Sequence, residues 1–311
     1  MNSLFNHWQL LSVFGAPEIS LHDLISNGEI KPIVLWGIPF MLLFAIIEFL
    51  ALRKEHKANA KDAGISLAVG LGYYGSTFLT RFLVYALVVW FYNLVPWRME
   101  FYWWMILPCF ILHDLCAYWE HRIMHESRIC WSIHISHHSA NHYNLWLNFR
   151  QSWFEQLRML FFIPLTVIGF HPAIYILVYQ VNTVMEFWVH TEFIKKLPRW
   201  IEYIFITPSH HRVHHASNPK YLDKNFGNTF VIWDRMFGSF AEENEKPVYG
   251  LVTKDFSNNM LHIVFHEALN ILKDVRETGS WKKTPLADFR KPRKNCSGKK
   301  EIQTTGFKTI A

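Results

Sequence analysis

Thirteen of the eighteen histidines in this chain fall between His113 and His215. Their order is His121-x3-His125, His134-x2-His137-His138, a lone His190, and His211-x2-His214-His215. Residues three and four apart on a helix share a face, so each cluster can turn two or three ring nitrogens toward one place. Imidazole suits iron, copper, nickel and zinc, and eight or nine rings exceed what one such ion takes. The spacing therefore predicts a two-metal site. A zinc hydrolase needs three protein ligands and an open position, and does not call for so many imidazoles. Two iron ions in a histidine shell can instead activate dioxygen and attack an unactivated C–H bond. An HxxxH pair alone carries little, because a membrane histidine can simply bond a backbone carbonyl. Two copies of HxxHH beside it make ligation the stronger reading.

A ligand ring is held in one tautomer when a neighbouring group accepts its far N–H. Asp114 is the preferred carboxylate for that role. It shares a helical face with His121, and inside an apolar helix it would cost free energy without a partner. Glu120, Glu126 and Asp234 are further candidates, with solvated or capping roles as their alternatives. His113, His142 and His210 are ambiguous neighbours of the clusters. His7, His22 and His56 read as surface or interfacial, and His171 precedes a proline at a hairpin tip. His262 and His266 read as an exposed helix face or a gate over the site.

The elements that must position these rings are apolar. The composition is 51% hydrophobic and 17% aromatic with only 18% charged residues, which points to a membrane rather than to water. Residues 32–52 are apolar except for Glu48 and long enough to span hydrocarbon. Arg53, Lys54, Lys57 and Lys61 follow, which places that end in the cytoplasm and the N-terminus outside. Residues 64–97, interrupted by Arg81, predict one long, tilted or protruding helix. Residues 101–120 return toward the cytoplasm behind an aromatic cluster. Residues 153–170 and 173–190 predict an apolar helical hairpin broken at His171-Pro172, and this returns His190 to the side of the other clusters. Residues 239–280 read as a soluble amphipathic cap.

The expected fold is thus all-α: an integral-membrane helical bundle with a cytoplasmic, histidine-rich di-metal site and a helical cap. Residues 1–31 form an interfacial segment, 32–280 the embedded domain, and 281–311 a basic, disordered tail. Net charge of +6, concentrated at 53–61 and 290–300, suits anionic lipid, and no pattern of a nucleic-acid binder is present. Cys109, Cys116, Cys130 and Cys296 form no CxxC pair or disulfide framework. The N-terminus lacks the pattern of a cleaved signal peptide.

The segments HDLCAYWEHRIMHE, HISHHSANHYNLWLNFRQS, FWVHTE and TPSHHRVHHASN resemble the fatty acid hydroxylase/sterol desaturase superfamily of membrane di-iron enzymes. The continuation YLDKNFGNTFVIWDRMFGSFAEENEKPVYGL is similar to its alkylglycerol monooxygenase-like branch. The resemblance implies two iron ions, dioxygen as cosubstrate, and hydroxylation or desaturation of a membrane lipid. By motif it places ligands at His121, His125, His134, His137, His138, His211, His214 and His215, with His190 as a ninth. The reductant it implies is tetrahydrobiopterin, as in that branch, or a cytochrome b5 or ferredoxin-type carrier, and in either case a separate donor is expected. The leading expectation is an iron-dependent lipid monooxygenase acting on an alkyl ether, acyl or sterol carbon. A desaturase using the same centre, and a metal transporter or store, are the alternatives.

Overall fold

The computed structural model describes residues 15–30, 33–54, 58–252 and 257–279. The tail expected from residue 281, His7, His56 and Cys296 lie outside the described residues. Every element described is helical, and no β-strand occurs among the described residues.

A short helix, α1 (Leu21–Ser26), is started by a capping box between Ser20 and Asp23. Helices α2 (Ile33–Arg53) and α3 (Ala60–Asn93) are both long and apolar enough to cross a bilayer, with mean hydropathies of 2.4 and 1.3. Only 17% of each apolar window is buried, which is the reverse of a soluble protein's core helix. Leu35, Phe40, Leu43 and Leu50 on α2 and Leu71, Phe78, Leu79 and Leu83 on α3 point outward. Such faces are stable only against lipid or a partner, and the chain is a membrane protein. At 34 residues α3 is one continuous helix, about 51 Å long, well beyond a hydrocarbon core of about 30 Å.

A single 3-10 turn (Trp103–Met105) leads into α4 (Ile106–Glu126), and α5 (Arg128–His138) follows after the break at Ser127. Two 3-10 runs, Leu145–Phe149 and Glu155–Phe162, precede α6 (Ile163–Ile168), and α7 (Pro172–Trp188) follows. The expected hairpin forms with an altered first limb: a 3-10 run and six helical residues replace a full α-helix. Pro164 explains the switch, since it lacks an N–H and its ring blocks the carbonyl four residues earlier. At the tip Gly169 adopts φ +106, and its carbonyl accepts the Met99 N–H.

Beyond the hairpin come α8 (Arg199–Ile204), α9 (Pro208–His214), α10 (Ile232–Phe237) and α11 (Met260–Thr278). In the bundle α4 packs on α5 and α7, α7 on α2, and α3 on the 3-10 runs and α6. The apolar core gathers Val84, Cys109, Phe162, Leu165, Ile174 and Tyr175 from α3, α4, the second 3-10 run, α6 and α7. Helix α11 seals α5: Ile263 and Val264 pack on Val69 of α3, and Arg128 reaches Glu267 at 2.7 Å and Asp274 at 2.6 Å. Its outer face mixes exposed Leu261, Leu269 and Leu272 with exposed His262, Asn270, Lys273, Arg276 and Glu277.

Candidate metal centre

Four pieces of chain meet at the Arg53 end of the two long helices. Glu48, near the end of α2, accepts from the Leu145 N–H at 2.6 Å and from the Thr191 hydroxyl. Asp62, in the first turn of α3, takes the Arg150 guanidinium at 3.0 Å and the His142 ring at 3.2 Å. These contacts seat the chain on either side of the histidine segments. Helix α4 then supplies His121 and His125, α5 supplies His134, His137 and His138, the end of α7 leads into His190, and α9 carries His211 and His214, with His215 as its C-terminal cap.

All nine rings are buried. They divide into two groups, His121, His125, His134, His138 and His214 in one, and His137, His190, His211 and His215 in the other. Within each group the potential donor atoms lie within 4.8 Å of one another. His138 and His215 stack at 4.3 Å, so the groups are neighbours.

The ring nitrogens test whether a metal fits. His121 Nδ1 donates to the Phe226 carbonyl at 3.0 Å, His190 Nδ1 to Glu186 at 2.8 Å, and His214 Nδ1 to Lys224 at 2.9 Å. A carbonyl only accepts, so in these neutral rings Nδ1 carries the hydrogen and Nε2 bears a free lone pair. Those lone pairs converge. His121 Nε2 lies 3.1 Å from His134 Nε2, His138 Nε2 3.1 Å from both His134 and His214, His190 Nε2 3.0 Å from His137 and 2.9 Å from His211, and His211 Nε2 3.2 Å from His215. Ligands at right angles, each about 2.1 Å from a metal, stand about 3.0 Å apart. The spacing of these nitrogens is that of ligands around a bound cation.

Burial, and then repulsion between neighbouring rings, holds His134, His137, His138, His211, His214 and His215 well below the ordinary histidine range. Neutral imidazole is the form that ligates, so these rings stand in the protonation state that a metal would require.

The groups that orient the rings differ from the sequence expectation. Asp114 touches no ligand ring. Its oxygens accept the Thr229 N–H at 2.7 Å, the Phe230 N–H at 3.0 Å and the Trp233 indole at 2.8 Å. Asp234 likewise accepts the Phe226 and Gly227 N–H groups and the Ser239 hydroxyl. Both carboxylates brace the loop that presents the Lys224 and Phe226 carbonyls. Asp223 and Asn225 in that loop adopt φ of +58 and +56, and the Asn225 amide binds the His210 and Ala241 carbonyls. The carbonyl acceptors that this loop aims belong to the backbone and have no side-chain signal in the sequence. Glu120 is occupied by Arg158, and Glu126 by Arg122. His125 Nδ1 stands 3.6 Å from Asp223, the only carboxylate beside a ligand ring among the described ion pairs.

The remaining histidines fall outside both groups. His113 stacks on Phe162, His142 pairs with Asp62, His210 lies against Thr207 and Phe240, and His171 caps α7 at the far end. His262 and His266 stack on each other along α11.

A cavity of about 70 Å³ opens beside His121 between α2, α3, α4, α7 and the 3-10 runs. Met41, Ala117 and Phe162 line its apolar wall, and His113, Glu155 and Glu186 its polar one.

A model of the fatty acid hydroxylase family matches residues 106–239, which include all nine rings. The chain is 43% identical over 158 residues to an alkylglycerol monooxygenase of Danio rerio, covering 50% of this chain and 34% of that protein. It is 34% identical over 257 residues to the alkylglycerol monooxygenase of Homo sapiens, covering 78% and 56%. With an ornithine lipid hydroxylase of Rhizobium tropici it shares 27% identity over 149 residues, 46% of this chain and 43% of that one. The chain thus spans between a third and a little over half the length of the alkylglycerol monooxygenases it matches. No solved structure matches it.

Proposed function

The chain belongs to the fatty acid hydroxylase family, and from that premise we propose that it is a membrane di-iron oxygenase that hydroxylates a lipid C–H bond. The observation that carries this reading is the convergence of Nε2 lone pairs into two adjacent groups. His121, His125, His134, His138 and His214 would hold one ion, and His137, His190, His211 and His215 the other. Two iron ions there would activate dioxygen, placing one oxygen atom on carbon and releasing the other as water with two electrons and two protons from a separate reductant.

The chain's own groups perform the rest. The Phe226, Glu186 and Lys224 carbonyls fix three rings in the tautomer that ligates through Nε2. Burial excludes water, and the cavity at His121 brings a C–H bond to the centre. The basic residues Arg53, Lys54 and Lys61 lie at the histidine end of the long helices, which supports a multi-pass chain with the centre facing the cytoplasm. An alkyl ether is the leading substrate, supported by the alkylglycerol monooxygenases among the relatives. Acyl and sterol carbons are the other members of the class. Tetrahydrobiopterin or a cytochrome b5 or ferredoxin-type carrier would supply the electrons.

His137→Ala and His214→Ala remove one ring from each group. In lipid nanodiscs we expect about two irons per wild-type chain, reduced in both variants, and incorporation of one labelled oxygen from dioxygen into the lipid by wild type alone. A product lacking two hydrogens and gaining no oxygen would replace hydroxylation by desaturation. Full turnover in both variants would overturn the metal-centre reading.

A further inference from the structure

The polar wall of the cavity contains two groups that the metal centre does not use. His113 is 2% exposed and its Nε2 has no hydrogen-bond partner; Glu155 is 4% exposed and its Oε2 has none. Buried polar atoms without partners are costly, by about 1–3 kcal/mol each, and call for an explanation.

Their hydrogen-bonding character is set by neighbours. Asn182 Oδ1 accepts from Asn228 Nδ2 and from the Thr229 hydroxyl, both at 3.1 Å. The Asn182 amide nitrogen is thereby turned to His113 Nδ1, at 3.1 Å, as donor. His113 Nδ1 accepts, so the neutral ring carries its hydrogen on Nε2, and stacking on Phe162 at 4.4 Å fixes the ring plane. Glu155 is held by Arg158 through Oε1 only, while the other arms of that guanidinium grip Glu120 at 2.6 and 2.7 Å. One donor and one acceptor without a partner therefore belong to residues that line the cavity, with Glu186 as a second carboxylate on the same wall.

This pairing selects among polar groups. A phosphate or carboxylate would satisfy His113 but face Glu155 and Glu186. An ammonium would satisfy Glu155 but point its hydrogens at the His113 N–H. A hydroxyl both donates and accepts, and meets both. We propose that His113 and Glu155 bind a hydroxyl of the lipid substrate, and that they determine specificity by holding it while the neighbouring chain lies at His121. The inference rests on the lipid oxygenase reading, although the binding it predicts is measurable without turnover.

The test uses the whole chain in nanodiscs, without iron and with it, and compares binding of 1-O-hexadecylglycerol with the analogue in which both hydroxyls are replaced by hydrogen. Wild type should prefer the diol by about tenfold or more. His113→Phe and Glu155→Gln should each reduce that preference to about threefold or less with iron content unchanged, and His113→Gln, which restores an N–H donor, should recover part of it. Equal affinity of wild type for both lipids would overturn the proposal. So would an unchanged preference in Glu155→Gln, which keeps the side-chain shape, even if His113→Phe fails to fold. Equal loss of both lipids in the variants would reduce the pair to a structural role. A missing iron centre with the diol preference intact would instead refute the oxygenase reading and leave the hydroxyl site standing.

Discussion

At the scale of single residues, the centre depends on atoms that carry no side-chain identity. The Lys224 and Phe226 carbonyls select ring tautomers, and their aim depends on Asp114, Asp234 and Asn225. Asp114→Asn replaces an acceptor of three hydrogen bonds by a group that sets an NH2 against a backbone N–H. We expect iron affinity to fall about 10- to 100-fold although every ligand ring remains, as read by iron retention against graded chelator. Asn225→Ala strips bonds from the His210 and Ala241 carbonyls and from the Ala241 N–H, and places an alanine at positive φ. A loss of about 2–4 kcal/mol is expected, measured as a lower thermal midpoint in metal-free protein. An unaltered midpoint would show that the loop does not need this brace.

Elements meet at two places where small changes should be felt. On α3, a Cβ at Gly72 would overlap the Trp153 indole, which is pinned by its bond to the Val69 carbonyl at 3.0 Å. Gly75, one turn on, has nothing within 4 Å of such an atom. Gly72→Ala should destabilise by about 1–3 kcal/mol through overpacking, and Gly75→Ala should be neutral or stabilising by up to about 1 kcal/mol. Thermal melts of the pair check the close approach to α3 of the turn at Trp153 between the two 3-10 runs. At the second junction Arg128, 6% exposed, joins α5 to Glu267 and Asp274 of α11. Arg128→Met removes the guanidinium that Glu267 and Asp274 share and should cost about 3–5 kcal/mol. Hydrogen exchange should then quicken in α11 and along the His134–His138 face; unchanged exchange there would mean that α11 does not support the centre.

For the whole molecule, metal and fold are linked. In the metal-free chain the convergent lone pairs oppose one another, so a cation that binds only the folded form stabilises it. Chelation should lower the thermal midpoint, ferrous iron should restore it, and faster exchange should be confined to α4, α5 and α9 while α2 and α3 stay protected. Uniform loosening of all helices would argue against a local centre. Much of this organisation is legible in the sequence, because apolar length marks α2 and α3 and because three- and four-residue spacing puts His121 with His125 and His134 with His137 and His138 on shared faces whatever they pack against. Those properties are local and survive any tertiary arrangement. The division of nine rings into groups of five and four, the diversion of Asp114 to a loop, the 3-10 limb before α6 and the pairing of His113 with Asn182 were decided only in the folded chain. Each depends on which carbonyl or amide from a distant segment lies within 3 Å, and neither composition nor periodicity encodes that distance.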